Sequence, residues 1–382
     1  MTNWKDVKEF PVLDNCLTIT HINPKLYHLV VKKNAFKNIL DWFWKKLSWS
    51  IPENYPFERP IHQNIIKEMC DTGWAAHLVK WDNGQYIVDL TSLEKYSDYG
   101  CLLKLDRDLN PFELISRGIV YSDCTMKFVI DIFLKSCMMK VLLIDNVLET
   151  RFIFGDNLMA TIKKYKLPND LKNFLLPWTF KIVKTNQFIY NECMCKGGIF
   201  EQLFPKYESF MSNEYDFCVW SNPIEMYNNN SLENVMAPSW YGDAITYWNV
   251  VETFVKKWLE IFLNTVSLGE LQIVENWLTE FYGFVLDLTE SLRQVLTRLL
   301  WTMTFFSSHV SINGLYSILS DKKDLLIYYA SMTEQPAPQV IGSLWKLQDL
   351  RYKEIWIEFE NVVESLEFNA LGLLGGELKC CF

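Results

Sequence analysis

Apolar residues run along this chain in two rhythms, and the change between them divides the expected fold. Up to about residue 100 the pattern is mixed. Pro52, Pro56 and Pro60 punctuate a loop, and the alternating stretch Gly84–Leu90 predicts a short strand entered through an Asn83-Gly84 turn. From about Ile119 the spacing becomes helical. Met126, Ile130, Phe133, Leu134, Cys137, Met138 and Val141 recur at three- and four-residue steps, which places them on one stripe of a long helix. Asp123 stands where an N-terminal cap or first-turn acid belongs. Pro168-Asn169-Asp170 breaks the pattern, and a second apolar stretch follows from Leu171 to Tyr190, closed by Gly197-Gly198 as a helix C-cap. Asn222–Asn230 reads as a loop.

Beyond Pro238 three more helices are predicted. The first carries Ile245, Trp248, Val251, Val255, Trp258 and Phe262, and the second covers roughly Leu268 to Leu286. The third begins near Thr289, with Glu290 in its first turn, and runs through Trp301 towards His309. No internal repeat or low-complexity tract interrupts the pattern. The expected fold is mainly α: a mixed segment over residues 1–100, with a few short strands, packed on a single large helical body over 101–382 and continuous with it.

Composition supports a deep core. Hydrophobic residues make up 49% of the 382 positions and aromatics 15%, the opposite of a disordered chain. A net charge of −9 argues against a nucleic acid as partner, and the local lysines Lys163, Lys164 and Lys166 read as a solvated helix end. The opening residues Met1–Asp6 lack the apolar run of a secretion signal. The longest apolar run, Phe128–Leu148, is broken by Asp131, Lys135, Lys140 and Asp145, so no transmembrane segment is expected. The expected setting is the cytoplasm, with the 10 cysteines as reduced thiols. Cys193-x-Cys195 and Cys380-Cys381 lack the second half of a zinc motif. Nothing in the sequence sets an oligomeric state.

The familiar catalytic signatures are missing: there is no Gly-rich phosphate loop, no Gly-x-Ser-x-Gly elbow and no His-Glu-x-x-His helix. Any site built on several histidines must draw on His21, His28, His62, His77 and His309. Taken as an ordered set, however, several segments carry a resemblance. They are Trp81–Asp89, Ser122–Lys127, Asn186 with Lys196–Glu201, Gly242–Trp248, Glu270-Leu271-Gln272 with Trp277, and His309-Val310-Ser311-Ile312-Asn313. In this order, over about residues 80–320, they resemble the catalytic domain of animal-type lipoxygenases. The family's N-terminal β-sandwich is expected to be missing and the helical domain to be short.

The resemblance implies a non-haem iron held by two histidines five residues apart on a first ligand helix, a third histidine, an asparagine and a C-terminal isoleucine carboxylate. Aligned on Ser122–Lys127, the first two positions are Lys127 and Ile132, a cation and a side chain without a donor. Only His309 and Asn313 match, and the sequence ends in Phe382. Lys184 stands two places before Asn186, where the family has a small residue beside its oxygen channel. The resemblance therefore implies Lys127, Ile132, Lys184, Asn186, His309 and Asn313 around a remodelled cavity. No cofactor is expected, iron-dependent fatty-acid dioxygenation is lost, and the cavity holds a small apolar or anionic ligand or supports other chemistry. If Lys127 is buried there, it needs an acidic partner. Two alternatives stay open: an iron dioxygenase with relocated ligands, His77 among them, and an unrelated all-α enzyme.

Overall fold

The computed structural model describes residues 64–95, 100–194, 198, 200–201, 222–232, 235–282, 285, 287–310, 334–336, 341, 348–370, 373–375 and 378–381. The described chain opens with helix α1 (Ile65–Asp71), capped by Asn64, whose side-chain oxygen accepts from the Lys67 amide. A single 3-10 turn, Ala76–Leu78, leads into an antiparallel meander. Its strands are β1 (Lys80–Asp82), β2 (Gln85–Asp89), β3 (Leu102–Leu105), β4 (Pro111–Ser116) and β5 (Ile119–Tyr121), in that spatial order. The predicted turn is present: Asn83 and Gly84 take φ of 46° and 87°, the pair of positive values that a two-residue hairpin needs. Register aligns Val88 with Leu103 and Leu103 with Leu114, so the centre of one face of the sheet is fully buried.

The helical body follows. Helix α2 (Lys127–Met138) passes without a break into Met139–Asp156, a segment wound with i→i+5 hydrogen bonds (π-helical), and then α3 (Asn157–Lys164). Helix α4 (Asn169–Phe188) ends in a short π turn, Ile189–Cys193. After α5 (Pro223–Asn229) come the long α6 (Trp240–Thr265), α7 (Leu268–Tyr282) and α8 (Leu288–Trp301), the last extended by a second π segment, Thr302–Phe306. Strand β6 (Glu334–Pro336), helix α9 (Leu350–Ser365) and strands β7 (Glu367–Phe368), β8 (Leu373–Leu374) and β9 (Lys379–Cys381) complete the order. Helix α6 is the spine: it packs against both α8 and α9. Aromatic rings fill the joint with α9, where Trp356 meets Phe254 at 4.5 Å and Phe174 at 5.5 Å, and Tyr352 stacks on Trp258 at 5.3 Å.

Three local expectations need correction. Helix α2 does not start near Ile119: Ile119–Tyr121 is an edge strand, and Asp123 instead caps a turn by accepting from the Thr125 amide at 3.0 Å. Asn222–Asn230 is not a loop, because Asn222 caps α5 and Pro223 takes its first position, the arrangement that starts helices. Met126, assigned to the buried stripe, is exposed just ahead of α2, while Val129, Phe133, Leu134, Cys137, Met138 and Val141 are buried. Gly197 lies outside the described residues. Cys70, Cys101, Cys124, Cys137 and Cys193 are buried thiols. No helix among the described residues is long and apolar enough to cross a membrane.

Candidate functional site

The chemistry-bearing residues converge at the 3-10 turn, where His77 stands between the π-helical Met139–Asp156 segment and His309. Three contacts fix that turn. Asn230 Nδ2 and the Tyr241 hydroxyl both donate to the His77 carbonyl, at 3.1 and 3.3 Å. From the neighbouring turn, Trp74 Nε1 donates to the carbonyl of Val310 at 2.5 Å. His77 is thereby held against His309, its Nδ1 lying 3.2 Å from His309 Nε2. On its other side His77 Nε2 lies 3.6 Å from Asp145 Oδ2. Lys140 closes the row, with its ammonium bonded to Asp145 Oδ1.

Lys140 and Asp145 are five residues apart, and the winding of their segment explains why they meet. At about 100° per residue an α-helix would turn side chains five apart onto different faces. The i→i+5 ladder brings them together. Between them Val141, Leu142, Leu143 and Ile144 are all buried, so this turn has no solvent-facing side to receive the charges. Charges in such a place persist only when paired.

Electrostatics sort the four groups. Burial pushes the His309 imidazole well below its ordinary range, and His77 adds to the shift. Burial also lowers His77, with Asp145 pulling the other way without overcoming it. For Asp145, burial would raise the carboxyl, but the Lys140 ammonium and His77 outweigh it and hold it below the usual carboxylate range. The row at neutral pH is thus an ammonium, a carboxylate and two neutral imidazoles. The tautomers that suit this row turn His77 Nε2–H toward Asp145, 3.6 Å away, and let Nδ1 accept from His309 Nε2–H. Aromatic rings wall the pair, with Trp240 4.9 Å from the His309 ring and Phe306 5.4 Å from that of His77.

The expected site residues divide. His309 is fully buried at the centre. Asn186 is buried on α4 and donates from Nδ2 to the Arg151 carbonyl at 2.8 Å, which ties α4 to the π segment. Lys127 is exposed, at the first turn of α2, and Ile132 is half-buried one turn further on. Neither belongs to the row around His309, which corrects the alignment of the first ligand helix. The reason is local: α2 begins only after the Asp123 turn, so residue 127 falls at a solvent-facing helix end. The five-residue pair that meets the histidine row, through His77, is Lys140 and Asp145, further along the same helical run. The lysine–acid pairing expected of Lys127 is made instead by Lys140. The sequence held a trace of this, since these are the two charges in the largely apolar run from Cys137 to Leu148. Lys184 lies in α4, its side chain outside the described part, and Asn313 and Phe382 lie outside the described residues.

The residues present do not suit a divalent ion. His77 and His309 lie within reach of each other, but His77 Nδ1 is taken up by His309, its Nε2 faces the carboxylate at 3.6 Å, and an ammonium occupies that carboxylate. Among the described residues no group of three or more His, Cys, Asp or Glu is placed to hold a metal ion.

No protein-family model matches the sequence, and no curated protein matches it either. Solved structures do match by fold. A lipoxygenase variant with a short segment replaced by Gly-Ser and an isoleucine-to-tryptophan change superposes over 98% of this chain with a TM-score of 0.63 at 12% identity. The coral 8R-lipoxygenase covers 84% with a TM-score of 0.60 at 13% identity, and a 9R-lipoxygenase from Cyanothece covers 97% with 0.56 at 12%. The match spans 73%, 66% and 69% of those chains in turn. The fold is lipoxygenase-like.

Proposed function

We propose that this chain is a lipoxygenase-like protein that does not perform iron-dependent fatty-acid dioxygenation and that uses its aromatic core to bind an apolar ligand. The observation that carries the proposal is the Lys140–Asp145 ion pair, largely withdrawn from solvent beside His77, which itself abuts His309. Non-haem iron oxygenases rely on about three strong protein ligands. Here a fixed ammonium competes for the one carboxylate, and the imidazoles are engaged with each other. The aromatic wall of Trp240 and Phe306 favours a ligand with an apolar body, and the imidazole row offers it polar contacts.

A second reading, an iron dioxygenase with relocated ligands, has one observation in its favour: His77 lies against His309 at ligand-like spacing. The ammonium of Lys140 weighs against it. Two measurements on one sample separate the readings. With linoleate or arachidonate an oxygen electrode should record no uptake above the blank, while the same fatty acids should quench the fluorescence of the buried tryptophans at micromolar levels. Turnover that is lost in His309→Ala would replace this reading with the second one.

A further inference from the structure

We infer that the Lys140 ammonium is the resident cation of this core, holding the position from which a metal ion organises the same fold. The inference rests on the functional reading above and goes beyond it by naming what took the metal's place. Lys140 and Asp145 keep the five-residue spacing that the lipoxygenase resemblance assigns to a histidine pair, and they present it on a π turn against His77, whose other ring nitrogen meets His309. A metal at such a point supplies positive charge that neutralises a carboxylate and fixes imidazole orientation. Lys140 does both from within the chain. Its ammonium neutralises Asp145, and Asp145 in turn faces His77 Nε2, which leaves Nδ1 for His309. Because the cation is covalently attached, it cannot be chelated away, and it has neither redox chemistry nor an open coordination position for oxygen.

The positional claim has a direct test in the full-length protein. Lys140→His combined with Asp145→His places two imidazoles, five residues apart, where the pair now stands, beside His77 and next to its contact with His309. If Lys140 holds the metal's position, the double variant takes up about one cobalt(II) per chain, develops the visible absorption of nitrogen-ligated cobalt, and binds about a hundredfold or more tighter than the unmodified chain. A folded double variant that binds cobalt no better than the unmodified chain overturns the inference. The neutralising role is tested separately by comparing Lys140→Met with Lys140→Met/Asp145→Asn. Stranding the carboxylate should cost more than removing both charges, so the double variant should melt above the single one. A double variant that melts no higher would show that Lys140 is not Asp145's cation, and would overturn the inference even if the histidine variant failed to fold. Stoichiometric metal in the unmodified protein would instead overturn the functional reading on which the inference rests.

Discussion

His77 and His309 are both kept neutral by burial, and that has a consequence for stability with a definite sign. In the unfolded chain each imidazole takes a proton near its ordinary value of about 6.5, whereas in the folded chain each resists it. Between those values the unfolded state binds more protons, so stability must fall as the pH drops below about 6.5, by up to about 1.4 kcal/mol per pH unit for each imidazole. Asp145, held below the usual carboxylate range, adds a second loss only further into acid, below about pH 4. Urea midpoints measured from about pH 7.5 to 5.5 should therefore decline, and His309→Gln should remove about one proton's worth of the slope. An unchanged slope in that variant, or a midpoint that rises towards acid, would contradict the burial and tautomers described for this pair. None of this row was readable as a row from the sequence. His309 stood out by its resemblance, but His77 is 232 residues away in the chain and Lys140 and Asp145 looked like interruptions of an apolar run. Local spacing carries no information about contacts made at that separation.

At the level of elements, the sequence was informative where one periodicity persisted for several turns. The Asn83-Gly84 hairpin and helices α6, α7 and α8 lie where the pattern of turn residues and apolar steps puts them. It failed where polar residues act as caps: Asn222 starts a helix and does not mark a loop, and Asp123 closes a turn ahead of α2. It also could not reveal the π winding of Met139–Asp156, since residues 141–147 of that segment are all buried and leave no polar face to betray its period. The joint between α6 and α9 offers a test of the packing itself. Trp356 is fully buried among Phe174, Phe254 and Phe359, so Trp356→Ala should cost about 3–5 kcal/mol. Leu268, 86% exposed at the start of α7, should tolerate alanine within about 0.5 kcal/mol. Denaturant titration distinguishes them, and equal costs would mean that α9 does not seat on α6 as described.

For the whole molecule, the lipoxygenase-like arrangement is kept at 12–13% identity, a level at which the core pattern survives and individual side chains do not. The fold sets one turn of the π-helical Met139–Asp156 segment against His77, which meets the histidine beyond α8, and there the two side chains are Lys140 and Asp145. In this chain they carry an ammonium and a carboxylate, which need each other more than either needs a metal. The most direct test of that account is the iron content of the protein purified after expression in iron-supplemented medium, measured by elemental analysis before and after mild chelation. The account predicts iron far below one atom per chain, with the melting temperature unmoved by the chelator. One tightly held iron per chain, whose removal lowers the melting temperature, would contradict it.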